Sequence, residues 1–130
     1  MAGSPRFQFT KIRVADVDKE FAFYSAALGR VEKFRYTRPD GEIPVDEIVM
    51  TTTDGTEQSI VLLNYLGRPV PPPGSCVLGF LVDDVDETVQ RAVAAGGTLT
   101  KEPFDIADMN IRVAFVEDPE GHTLEFYANL

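Results

Sequence analysis

Two hydrophobic periods alternate along this chain, and the alternation happens twice. Residues Phe7 to Val14 and Val77 to Val82 are strand-like runs. After the first, Val17, Phe21, Tyr24 and Leu28 stand at i, i+4, i+7 and i+11, the stripe of an amphipathic helix. After the second, Val85, Val89, Ala92 and Gly96 repeat that spacing with smaller side chains. Asp16 and Asp84 are candidate N-caps with further acidic residues in the first turn. Gly29 and Gly96-Gly97 supply the helix stops.

The two halves keep register. Val14 and Val82, Asp16 and Asp84, Ala27 and Ala95, and Gly29 and Gly97 are all 68 residues apart. Such a repeat sets the architecture before any single element does. Three strands are expected after each helix: near 31–38, 45–53 and 58–65, then near 98–104, 111–117 and 122–128. Asp54-Gly55 and Asp118-Pro119-Glu120-Gly121 are turns before the last strand of each copy. Between the copies, Gly67 to Gly74 holds four prolines and reads as a stiff extended linker. The expectation is a single α+β domain over residues 1–130. It consists of two tandem βαβββ modules, about 6–66 and 75–130, forming paired curved sheets around a shared cavity.

Composition narrows the function. A 130-residue chain, 44% apolar and 25% charged, can bury a proper core. No apolar run approaches the roughly 20 residues of a membrane span, so no membrane partner is expected. The opening Met1-Ala2-Gly3-Ser4-Pro5 has no signal-peptide pattern. One cysteine, Cys76, cannot form an internal disulfide, and a cytoplasmic setting is expected. The net charge of −9 argues against nucleic-acid binding, which needs a basic surface.

Gly96-Gly97-Thr98 and the run from Val113 to Glu125 closely resemble the C-terminal half of bacterial glyoxalase I enzymes. Ile12 to Asp16, Phe23-Tyr24 and Leu28-Gly29 resemble their first strand and helix. On these residues the chain resembles the vicinal-oxygen-chelate superfamily of glyoxalases, bleomycin-resistance proteins and extradiol dioxygenases. The resemblance implies one metal ligand on the first and one on the last strand of each module. Carried over by position, those ligands fall on Phe9, Leu62, Val77 and Glu125. Only Glu125 is a donor, so no metal and no other cofactor is expected at that point. His122, in the Asp-Pro-Glu-Gly turn, reads as a turn residue.

Strand alternation assigns the cavity wall. Phe9, Lys11 and Arg13 share one face, as do Leu62 and Asn64, then Val77 and Gly79, then Thr123, Glu125 and Tyr127. Arg13 matches an anion-binding arginine of glyoxalase I enzymes; the alternative is an ordinary surface arginine. Apolar walls suit a small, partly hydrophobic ligand. Burial among them would raise the Glu125 carboxyl pKa and fit it for acid/base work, unless Arg13 or Lys11 pairs with it.

Three functions follow. The first is a metal-independent isomerase, epimerase or lyase using Glu125. The second is a protein that sequesters a drug or metabolite, for which the acidic balance suits a cation. The third is a metal enzyme with rearranged ligands among Asp46, Glu47 and His122. Exposed sheet edges and the resemblance both imply a homodimer.

Overall fold

The computed structural model describes residues 3–130; Met1 and Ala2 of the N-terminal stretch lie outside it. Module 1 comprises β1 (Phe9–Arg13), α1 (Val17–Leu28), β2 (Val31–Arg38), β3 (Val45–Thr51) and β4 (Ser59–Tyr65). Module 2 comprises β5 (Val77–Leu81), α2 (Val85–Ala94), β6 (Thr98–Ile106), β7 (Ile111–Glu117) and β8 (Thr123–Asn129). The two sheets have the same order, β1-β4-β3-β2 and β5-β8-β7-β6. In each, the first and last strands pair in parallel and the other pairs are antiparallel. The α+β class and the two tandem modules are as expected.

The helix ends follow from their caps. The Asp16 carboxylate accepts from the Lys19 N–H at 3.0 Å, and Asp84 does the same for Glu87 at 3.0 Å. Gly29 closes α1 in the left-handed region, φ 65°, where its lack of a Cβ removes the steric cost.

The buried face of α1 differs from the expected stripe. Val17, Glu20, Phe23, Tyr24 and Ala27 are buried, while Phe21 and Leu28 flank them half-buried. The face follows i, i+3, i+7 and i+10, and so takes in an acidic residue. In α2, Val85, Thr88, Val89 and Ala92 are buried; Gly96 lies beyond the helix.

One core joins the modules. Ile12, Val14, Ile48, Met50 and Leu62 pack with Val89, Ala92, Val116, Leu124 and Phe126 through the helix-covered sides of both sheets. The two helices are the elements through which the modules meet most extensively. Gly97 lies at this seam. A Cβ there would stand 2.9 Å from the Glu117 carbonyl oxygen and 3.0 Å from the Phe23 ring.

Candidate functional site

The opposite side of each sheet is concave. On module 1 the register places Lys11 beside Val61, Val61 beside Val49, and Val49 beside Phe34. Lys11 Nζ lies 3.0 Å from Glu47 Oε2 and 5.4 Å from the centre of the Phe9 ring. Two hollows adjoin across this ion pair. One, of about 180 Å³, is walled by Phe9, Phe34, Val49 and Val61. The other, of about 540 Å³, is walled by Tyr36, Ile43, Leu63 and Tyr65. The face is therefore apolar ground with the Lys11–Glu47 pair set into it and Lys33, Arg38 and Glu42 at the walls of the hollows.

Arg13 belongs to the end of this face, held by the linker. Its guanidinium stacks on Tyr65 at 4.7 Å and donates to the Pro69 carbonyl at 3.4 Å. Val77, Thr123, Glu125 and Tyr127 share one face of the module 2 sheet, with Glu125 between Gly79 and Phe115. Glu125 is half-buried and has no ion-pair partner among the described residues.

Leu62 and Asn64 require correction. Both point to the helix-covered side. Leu62 is fully buried in the core, and the Asn64 side-chain amide donates to the Ala15 carbonyl at 3.3 Å. Parallel pairing sets Val61 opposite Lys11, as it sets Glu125 opposite Gly79. Val61 is thus the counterpart of Glu125, and a one-residue displacement moves a side chain through the sheet. Within one chain, Phe9, Val77 and Glu125 lie on two faces joined back to back through the helices.

The family model for the Glyoxalase/Bleomycin resistance protein/Dioxygenase superfamily matches residues 6–126. The chain belongs to this superfamily. A lactoylglutathione lyase of Haemophilus influenzae is 28% identical over 123 residues, covering 92% of this chain and 90% of that protein. A probable chloroplastic lactoylglutathione lyase of Arabidopsis thaliana is 31% identical, over 87% of this chain but 33% of its own length. The crystal structure of a glyoxalase family protein from Bacillus cereus superposes with a TM-score of 0.84 at 22% identity, covering 99% and 97% of the two chains.

The metal positions expected from the resemblance can be followed through the strand register, which brings them to Phe9, Val61, Val77 and Glu125. Three of these side chains have no donor atom, and a single carboxylate does not hold a divalent ion against water. The positive charge on this surface comes from the side chains of Lys11, Arg13, Lys33 and Arg38. Of the other residues considered for a rearranged site, Asp46 is bound to Arg35 at 2.7 Å, which holds its carboxyl below the usual range. Glu47 is bound to Lys11.

A second polar group lies on the helix-covered side, and sequence reasoning missed most of it. Tyr24 of α1 donates its hydroxyl to Asp118 Oδ2 at 2.7 Å. His122 Nδ1 lies 2.9 Å from the same oxygen, and His122 Nε2 lies 2.9 Å from the Arg13 carbonyl. Glu20 is fully buried beside them, its Oε2 3.9 Å from His122 Nδ1. Burial, reinforced by Asp118, pushes the Glu20 carboxyl up to about 10. Burial also opposes ionisation of Asp118, but hydrogen bonds from His122, Glu20 and Tyr24 hold it well below the usual range. For His122, burial lowers the imidazole and the Asp118 hydrogen bond more than restores it, so the net direction is up. The signal was present in the sequence: Glu20 stands three residues after Val17 and four before Tyr24, inside the apolar face.

Proposed function

We propose that this chain binds a small, partly hydrophobic molecule on its concave sheet surface without a metal, and acts on it as an isomerase, epimerase or lyase. The observation that carries this reading is the character of that surface. Phe9, Phe34, Tyr36, Val77 and Leu81 are large apolar or aromatic side chains left exposed on the concave faces. Phe9, Phe34 and Tyr36 surround the Lys11–Glu47 pair, which can orient a polar group of the ligand. Lactoylglutathione lyases among the relatives support the lyase reading. In this reading Glu125 is the acid/base, Lys11 and Arg13 receive an anionic group, and Phe9, Val77, Thr123 and Tyr127 line the site.

A cavity shared by the two kinds of module then needs a homodimer, because each chain's concave faces point away from its own helix seam. The protein is read as cytoplasmic, and no helix among the described residues is long and apolar enough to cross a membrane. A second reading, sequestration of a cationic drug or metabolite, draws on two observations. These are the unpaired Glu125 and the net charge of −9.

Glu125→Gln separates the two. For an enzyme, turnover falls by about 10²–10⁴-fold with ligand affinity retained. For a sequestering protein, affinity for a cation falls and there is no turnover to lose. Full turnover in Glu125→Gln removes the residue from the mechanism.

A further inference from the structure

The cluster behind the sheets poses a problem of missing donors. The Arg13 carbonyl can only accept, so His122 Nε2, 2.9 Å away, carries a hydrogen. In neutral imidazole that leaves Nδ1 as a bare lone pair. Nδ1 nevertheless faces Asp118 Oδ1 and Oδ2 at 3.1 and 2.9 Å and Glu20 Oε2 at 3.9 Å. Glu20 is fully buried, and neither of its oxygens has a hydrogen-bond donor among the described residues. Unless extra protons are held on Glu20 and His122, three acceptors converge where burial makes uncompensated negative charge costly.

We propose that Glu20, Asp118 and His122 Nδ1 form a binding site for one divalent transition-metal ion of the zinc class. This site fastens module 1 to module 2. It is separate from the superfamily's concave metal position, and independent of the function proposed above.

The geometry suits the ion. The three donor atoms lie within 4.8 Å of one another. Bonds of about 2.0–2.2 Å in a tetrahedron need donors about 3.4 Å apart, a small adjustment. The outer partners resemble those of metal ligands generally. His122 donates its remote N–H to a backbone carbonyl. Asp118 is fixed by Tyr24 and by the backbone N–H groups of Glu120 and His122, at 3.0 and 2.9 Å. Charge balances too, since two carboxylates and a neutral imidazole exactly offset a dication. A hollow of about 210 Å³ reaches the His122 side of the site, where His122 stands in its wall with Arg13, Pro73 and Cys76. The ligands come from α1 and from the turn before β8, so the ion bridges the two copies of the repeat.

The test uses the whole chain, stripped with chelator and titrated with Zn²⁺ by calorimetry and with Co²⁺ by visible absorption. The expected result is one ion per chain, with Co²⁺ bands of tetrahedral intensity and proton release as the ligands deprotonate. Glu20→Gln and His122→Asn each weaken binding by more than the roughly 10–100-fold that loss of an outer partner costs. Glu125→Gln leaves binding unchanged. Glu20→Gln removes a buried acid, so it should fold even if His122→Asn does not. No saturable binding to the wild type overturns the proposal, as does equal binding to Glu20→Gln. In either case protons alone occupy the cluster.

Discussion

The two turns that precede the final strand of each module stand in equivalent places and solve the same problem in opposite ways. In module 1, Asp54 accepts from Thr52 Oγ1 at 2.6 Å, Thr56 Oγ1 at 2.9 Å and the Thr56 N–H at 3.1 Å, and it is exposed. In module 2, Asp118 is buried and collects its donors from another element, Tyr24 of α1, and from His122. The helices explain the difference. The α2 positions matching Glu20 and Tyr24 are Thr88 and Ala92, and Thr88 turns its hydroxyl onto the Asp84 carbonyl at 2.8 Å. A duplicated backbone therefore does not duplicate its polar chemistry. One turn is self-sufficient in solvent, and the other belongs to the seam between modules.

The contrast is most directly broken at the two aspartates. Asp118→Asn strips a buried charge from three partners and should cost about 3–5 kcal/mol. Asp54→Asn should cost far less, because solvent replaces what is lost. Urea midpoints at fixed m-value compare them, and equal losses would refute the distinction. Two glycines sharpen the contrast next. Gly97→Ala should cost about 1–3 kcal/mol through crowding of Glu117, Ala92 and Phe23. Gly29→Ala has open space, and should cost only the left-handed backbone penalty of about 1 kcal/mol. Repacking would show as a shift of Phe23 in the Gly97→Ala structure and none in Gly29→Ala.

A further difference lies in the pH dependence of chelator-treated protein. The Glu20 carboxyl is raised from 4.5 to about 10, so the folded state binds the extra proton between those values. The stability it contributes is present in full below about pH 4.5 and is lost as pH rises toward 10. From pH 6 to pH 9 the wild type should lose on the order of 1 kcal/mol per pH unit relative to Glu20→Gln. Parallel stability curves for the two proteins would mean that Glu20 is already ionised in the fold.

Much of this was legible from residues. The caps Asp16 and Asp84, the stop at Gly29 and the turn at 118–121 are local, and local chemistry reads directly. The errors came where a count had to be carried across loops. Copies are 68 residues apart at Val14 and Val82, but β8 begins 64 residues after β4. Module 1 spends extra residues in its two hairpin connections, so register had to be set by strand pairing, which placed Val61 rather than Leu62 on the concave face. Glu20 was passed over because an acid three residues into a helix reads as a favourable dipole partner. Only the packing of the opposite module shows that it is enclosed.

Strand alternation gives every residue of β1, β4, β5 and β8 to one of two audiences. Ile12, Leu62, Leu124 and Phe126 answer to the helices and hold the chain together. Phe9, Lys11, Val61, Val77 and Glu125 answer to whatever occupies the concave surface. Selection can rewrite the second set one residue at a time without touching cohesion. Phe9, Val61 and Val77 belong to that second set, and their side chains can change while the core keeps its packing. The same partition makes this chain a practical scaffold, in which ligand preference can be altered by substitutions whose stability cost stays small.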